Sequence, residues 1–434
     1  MLDHLIEQKG IVSRKIGEAK RDGQPIDSLL IEMKRVSAEI AAIKSAEKNK
    51  QEKRVDEQQA GKSNKVEKPN LFKQRESVPA SQIKEIIQCH TDAEGGWAEK
   101  WDDYVLARAD SAIYHRWAFK EVVEQSFEHA TCYLAAVNTS GTICGILPAV
   151  EMKSRLFGHF VVSLPYFTYG AVLADNEEIA QALYGGLFEF AKQQGAAHVE
   201  LRATTSQTCL QEAMPAKLSK VSMVRSLPAS ADSLWQDIGT KVRAQIKKAQ
   251  RFDLDMKFGK QELLDDFYRV FAENMRDLGT PVYAKAFFSQ LLTSSLASNF
   301  DLGVLYFEKK PVACCFLMQH KGMMEIPWAS ALNSANDMNV NMLMYWEVLK
   351  RAISQENQFF DFGRSSKDAG TYRFKKQWGA KAQQLYWYYW LPEGGEMPEL
   401  NPNNPKYKLL IAVWQKLPVW LTKWIGPPVV KYLP

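Results

Sequence analysis

Histidine is scarce in this chain, with seven in 434 residues and no pair at metal-ligating spacing, so no metal site is expected. The six cysteines (Cys89, Cys132, Cys144, Cys209, Cys314, Cys315) show no paired spacing, which excludes a disulfide framework or a zinc cluster. Most sit in apolar runs such as Val312-Ala313-Cys314-Cys315-Phe316 and read as small buried residues of a reduced compartment. There is no Walker-type phosphate loop, no dinucleotide fingerprint and no Ser elbow flanked by glycines. No apolar run reaches the roughly 18 residues of a membrane span. The N-terminus is amphipathic and charged rather than a secretory signal, so the expected location is cytoplasmic.

What is present is unevenly distributed. Residues 1–78 hold 17 Lys+Arg against 13 Asp+Glu, so +4 of the +5 net charge lies in the first fifth of the chain. A basic arm on a neutral body fits an anionic partner such as nucleic acid or a lipid surface, or simply a solvated helix pair. Leu5, Val12 and Ala19 repeat every seven residues. After the turn signal Asp22-Gly23-Gln24-Pro25, Ile26, Leu29, Met33, Val36, Ile40 and Ile43 alternate in steps of three and four. This predicts an antiparallel coiled-coil hairpin over 1–60, which would bind a partner or dimerise, and a polar linker over 61–82.

Two blocks follow, 83–229 and 230–397, and they share an order of elements. Each runs helix, successive strands, a long helix, a buried strand, a short helix and a last strand. In the first block the strands are read at 132–137, 143–153, 159–166, 198–202 and 221–227. In the second they are read at 302–308, 311–320, 323–329, 359–362 and 383–391. The repeated order predicts a duplicated α/β unit, each with a crossover connection. The tail, 398–434, places Leu410, Val413, Trp414, Leu417, Trp420, Leu421 and Trp424 at helical spacing with interspersed lysines. That pattern suits a membrane interface, here the inner membrane face, or a sealing tail on the second block.

The order resembles a tandem pair of GNAT acyltransferase units. Phe359-Phe360-Asp361-Phe362-Gly363-Arg364-Ser365-Ser366 and Tyr372-Arg373-Phe374-Lys375-Lys376-Gln377-Trp378-Gly379 are similar to motifs of the Fem family of aminoacyl-tRNA-dependent transferases. Gly145-Ile146-Leu147-Pro148, Val162 to Gly170, Asn274 to Pro281 and Asn401 to Lys406 resemble FemAB-like proteins of exosortase/PEP-CTERM and exopolysaccharide systems. Residues 11–20 and 29–40 resemble the tRNA-binding arm of seryl-tRNA synthetases. The chain departs from the Fem pattern in two ways. Its hairpin is N-terminal, and it reads Tyr169-Gly170-Ala171 where a second Gly is expected. The resemblance implies an aminoacyl- or acyltransferase acting on an amine of an envelope or exopolysaccharide precursor. The donor would be aminoacyl-tRNA, with acyl-CoA as the alternative and a non-catalytic tRNA- or membrane-binding scaffold as the rival. The Gln/Arg-x-x-Gly-x-Gly/Ala loop of simple acetyltransferases is missing from both blocks; Asn333 to Asn339 stands there in the second.

Lys375 is the first candidate catalytic residue. A cation one turn beyond a buried strand end can stabilise an oxyanion or hold a phosphate. Asp361 is the second, as a base or as a cap. Arg364, Ser365 and Tyr372 are expected on the same cleft, with Arg364 suited to an anionic group. Tyr166 and Tyr169 offer a stacking face with a hydroxyl. Arg243 and Lys247 share one helix face and are expected to reach the same cleft. Glu200 and Arg202 alternate on one strand and read as an ion pair. On the arm, Arg14, Lys15, Lys20, Arg21, Lys34 and Arg35 are the expected tRNA contacts.

Overall fold

The computed structural model describes residues 83–90, 96–155, 157–211, 214–367, 369–398 and 405–433, together with scattered helical positions between 8 and 36. The chain forms two compact units, Met1–Pro69 and Asn70–Pro434. In the first, Lys15 and Arg35 lie on helical turns and are exposed, while Val12 and Val36 are buried. Arg14, Lys20, Arg21 and Lys34 lie outside the described residues, as does the linker.

Among the described residues, the second unit holds fifteen strands. In the first block these are β1 (Ile83–Cys89), β2 (Thr131–Asn138), β3 (Ile143–Ser154), β4 (Gly158–Val162), β5 (Leu173–Ala174), β6 (Val199–Ala203), β7 (Ala216–Lys217) and β8 (Lys220–Ser226). The second block adds β9 (Leu254–Gly259), β10 (Phe300–Phe307), β11 (Lys310–His320), β12 (Met323–Ala331), β13 (Phe359–Ser366), β14 (Lys381–Gln384) and β15 (Tyr386–Trp390). They form two sheets. One is ordered β1-β2-β3-β4-β6-β15-β7, with β5 on β3; the other is ordered β14-β8-β13-β12-β11-β10-β9.

The blocks exchange strands. β8 belongs to the first block in sequence but pairs with β13 in the second sheet. The single strand expected at 383–391 is two strands. β14 pairs with β8, while β15 crosses to the first sheet and pairs with β6. Between them, Leu385 is fully buried.

Strand alternation explains the layering. On β2, Tyr133 and Ala135 face a core shared by both blocks, while Cys132, Leu134 and Ala136 face the helix Glu177–Gln194. On β11, Cys314, Phe316 and Met318 enter that shared core, and Ala313, Cys315 and Leu317 face the helix Val340–Ser354. Adjacent Cys314 and Cys315 therefore lie on opposite faces of one sheet and cannot pair. Both faces are covered, which is why these strands read as continuous apolar runs. The shared core is aromatic: Tyr114, Phe119 and Phe167 from one block meet Phe287, Phe300 and Phe316 from the other. Deleting one such ring costs about 3–5 kcal/mol.

Candidate active site

Each sheet contains one parallel pair that starts together and then diverges. In the first it is β4 with β6, paired only at Val161–Val199 and Val162–Glu200. In the second it is β12 with β13, paired from Met323–Phe359 to Glu325–Asp361.

In the first sheet the segment after β4 folds back into the gap. The Arg202 backbone N–H donates to Ser163 Oγ at 2.8 Å, and Arg202 Nη1 donates to the Phe167 carbonyl at 2.8 Å. Ser163 N–H reaches Glu200 O, and Gly170 N–H reaches Arg202 O. Arg202 Nε pairs with Glu200 Oε1 at 2.7 Å, the ion pair expected from the sequence, and Tyr389 donates to Glu200 Oε2 at 2.6 Å. Burial pushes the Glu200 carboxyl up, but Arg202 and Tyr389 outweigh it and hold the group below its usual range. The segment is tightly held. Leu164 and Tyr166 sit at φ 63° and 73°, a left-handed backbone that bulky residues adopt at a cost.

Beyond this plug lies a cavity of about 730 Å³, lined by both blocks. The cations around it are engaged within the protein. Arg202 pairs with Glu200, and Lys321 Nζ donates to the carbonyls of Val105, Leu106 and Arg108. His320 is half-buried and held down to about 3 by desolvation and Lys321, so it is neutral; its Nε2 lies 3.1 Å from Ser111 Oγ. Beside the carboxylates of Asp110, paired with Arg108, and the exposed Glu177, the cavity offers neutral groups: Thr204, Thr205, Ser206, Gln207, Gln358 and Gln383.

In the second sheet, Phe360 and Phe362 face the helix Val340–Ser354, so Asp361 points to the opposite face, toward the first block. Asp361 is fully buried. Its Oδ1 accepts the Gly363 N–H at 2.7 Å, its Oδ2 accepts Tyr169 at 3.2 Å, and Ser222 Oγ donates to it at 2.6 Å. With no surface exposed and these bonds made, Asp361 fixes the bulge within β13, where Gly363 has φ 76°.

Beside it lies Glu325, which the sequence reading did not single out. Tyr169 approaches Glu325 Oε2 at 3.4 Å. Burial, and then the charge of Asp361, raise the Glu325 carboxyl far above the usual range, so it is a neutral acid. The signal was a Glu inside the strand run Met323-Met324-Glu325-Ile326-Pro327-Trp328. Tyr169 thus bridges the blocks and is itself buried, not an open stacking face.

Lys375, on the helix Gly370–Gln377, is buried. Its Nζ donates to Gly363 O at 2.9 Å and Arg364 O at 3.0 Å, which leaves one of the three ammonium N–H groups unassigned. Burial pulls it down to about 8, against the opposing charge of Asp361. Arg364, next along the strand from Gly363, has a solvent-exposed side chain. Its guanidinium lies 4.9 Å from the Trp387 ring, and Arg202 lies 4.6 Å from the same ring. Among the described residues Arg364 makes no ion pair. Enclosure by the protein and the charge of Arg202 lower it to about 10, so it stays a cation. The partly exposed rings of Tyr283 and Trp328 adjoin one another nearby, 6.0 Å apart, and Tyr283 feels the charges of both arginines. Ser365 is buried with its Oγ unpartnered among the described residues, and Tyr372 packs toward the helix Val340–Ser354.

The other expected cleft residues lie elsewhere. Arg243 bonds to Trp235 O and Thr240 Oγ1, and Lys247 lies over the Trp235 ring. Their helix, Thr240–Ala249, buries Val242, Ile246 and Ala249 in the core that Phe360 and Phe362 face, opposite to Asp361. The expectation that Arg243 and Lys247 join Lys375 in one cleft is therefore corrected. The hydrophobic stripe of the helix sets its seat, and that seat is across the sheet. Tyr166 is also engaged: its hydroxyl donates to Lys431 O at 2.6 Å, and its ring stacks on Phe127.

The loop before the helix Val340–Ser354 is a 3-10 turn, Asn333–Met338. Its amides at Ala335 and Asn339, and those of Met342 and Leu343 after it, bond to neighbouring carbonyls. Among the described residues no helix is long and apolar enough to cross a membrane.

Residues 239–376 match the acetyltransferase (GNAT) domain family. No curated protein matches the chain. Among solved structures, FemX is similar at 14% identity and a TM-score of 0.55, covering 75% of this chain and 100% of its own. The C-terminal domain of a putative lysylphosphatidylglycerol synthetase from Agrobacterium fabrum matches at 12% identity and 0.49, covering 69% of this chain and 93% of its own. A tandem GNAT protein from the clavulanic acid pathway matches at 11% and 0.47, covering 72% of this chain and 99% of its own. The chain thus shares the fold of FemX, and residues 239–376 of its second block carry the match to the acetyltransferase (GNAT) domain family.

Proposed function

We propose that the protein transfers an aminoacyl group from tRNA to an amine of a cell-envelope or exopolysaccharide precursor, in the manner of the FemAB-like proteins it resembles. The observation that carries this is the pair Arg364 and Lys375 at the open end of β13: an accessible cation without a counter-ion, beside a buried ammonium with a donor to spare. A guanidinium in that position suits a phosphate of the tRNA 3′ end. The acceptor amine attacks the ester carbonyl, the acyl C–O bond breaks, and the freed ribose oxygen takes the proton that the amine loses. Lys375 stabilises the oxyanion between these steps. The cavity's hydroxyls and amides suit a saccharide, its exposed Glu177 suits an acceptor amine, and Arg202 belongs both to its wall and to the Trp387 stack. Lys15 and Arg35 of the N-terminal arm, with Arg14, Lys20, Arg21 and Lys34, would contact tRNA backbone.

Acyl-CoA is the second reading, favoured by the acetyltransferase family match. The missing Gln/Arg-x-x-Gly-x-Gly/Ala loop speaks against it. The test is acyl release under single-turnover conditions from aminoacyl-tRNA and from acyl-CoA, with the chain intact and with residues 1–60 deleted. Release from aminoacyl-tRNA, with affinity reduced by the deletion and the mass in solution unchanged, is expected. Release from acyl-CoA alone overturns the tRNA donor.

A further inference from the structure

The last two helices, Pro405–Trp414 and Val419–Val430, are fixed to the body along one side. Ile411 packs so closely on Gly279 that a Cβ there would lie 2.5 Å from its methyl, and Gly426 sits against the Val282 backbone. Gln415 donates to Asp277 O, Arg276 donates to Leu417 O, and Lys431 O accepts from Tyr166. The other side faces solvent. Leu409, Leu410, Val413, Trp420 and Trp424 are 52–73% exposed. Apolar side chains scattered singly need no explanation, but five on two consecutive anchored helices form a surface.

The charge within this segment has one sign. Residues 401–434 contain five lysines and no Asp or Glu. Lys416 and Lys423 are exposed among the apolar residues. Trp420 and Trp424 are one turn apart and share a face. Tryptophan at headgroup depth with lysine at the rim is the chemistry of a helix lying in a membrane interface. A second copy of this chain is the poorer occupant. A two-fold contact through this face would set like-charged lysines against each other with no acidic partner in the segment.

We infer that the helices 405–414 and 419–430 form a foot that seats the protein on an anionic lipid bilayer surface, without crossing it. Because Lys431 O is bonded to Tyr166 in the segment that plugs the first sheet, the foot is rigidly joined to the catalytic body. Seating would bring the enzyme to a membrane-borne acceptor. The surface itself is argued independently of the transfer reaction.

The test is co-sedimentation of the full chain with phosphatidylcholine vesicles, with and without phosphatidylglycerol. Binding to the anionic vesicles, weakened by salt, is expected. Trp420→Ala with Trp424→Ala should cut the partition coefficient at least about tenfold with an unchanged melting temperature, since both rings are exposed. Lys416→Glu should cut binding roughly fivefold on anionic vesicles and leave binding to neutral ones nearly unchanged. Three results overturn the inference: no binding to either vesicle, equal binding by the double tryptophan variant, or a double variant that turns a dimer into a monomer while vesicles are ignored. None of these measurements requires a donor or acceptor, so the lipid surface can fail while the transfer reading stands, and the reverse.

Discussion

The diverging ends of the two sheets had the same starting point and came to different states. In the first sheet the gap after β4 and β6 is plugged by residues 163–170, and its arginine, Arg202, is locked to Glu200 and to a carbonyl. In the second, the corresponding arginine at the end of β13, Arg364, is exposed and without an ion pair among the described residues, with Lys375 beside it. A buried, paired arginine holds structure; an accessible, uncompensated one attracts an anion. On the function proposed above, the first end serves stability and the second serves chemistry. The strand exchange makes the two ends neighbours: β15, from the second block, carries the Trp387 on which both arginines stack.

The largest expected effect breaks the first end. Arg202→Met leaves Glu200 buried without its partner and should cost about 3–5 kcal/mol of stability, read by denaturant unfolding. If it unfolds no more easily but loses activity, the assignment of the first end to structure is wrong. Lys375→Met should do the opposite, with transfer in a single turnover falling about 10²–10³-fold and the fold retained by circular dichroism. Because Lys375 is held near 8, its ammonium is lost as pH rises through that value. The wild-type rate should fall above about pH 8, and that limb should be absent from the residual rate of Lys375→Met.

The smallest effect concerns the wall between the ends. Glu325 is protonated in the fold at a pH where the unfolded chain has released the proton, so its contribution to stability falls as pH rises past the ordinary Glu range. Glu325→Gln should be within about 1 kcal/mol of wild type at neutral pH. It should also flatten the loss of stability toward high pH, measured as melting temperature against pH. A steeper loss in the variant would mean that Glu325 is ionised in the fold.

The duplication was legible because element order and apolar runs survive divergence, and the closeness of Lys375 to the strand end at Asp361 and Gly363 because their neighbours form a recognisable segment. Other parts were not legible, for physical reasons. The run Tyr386-Trp387-Tyr388-Tyr389-Trp390 has strong strand propensity, but nothing local says that it joins the first sheet while Lys381–Gln384 joins the second. The strands β1 and β9 and the helix Trp97–Ala107 were also missed, being short and mixed in pattern at the edges of the blocks. Spacing places Arg243 and Lys247 on one helix face but does not say which side of the sheet that face addresses. Glu325 and Tyr169 matter to each other only through contact across the blocks, 156 residues apart in sequence.

The central claim, that the second sheet's open end binds the donor, is tested most directly by Arg364→Ala. Single-turnover transfer measured over a range of donor concentration separates affinity from chemistry. The account predicts a donor concentration at half-saturation raised about tenfold or more, with the saturating rate changed far less and the melting temperature unchanged. Unaltered half-saturation, with donor affinity lost instead in a folded Arg202→Met, would contradict it.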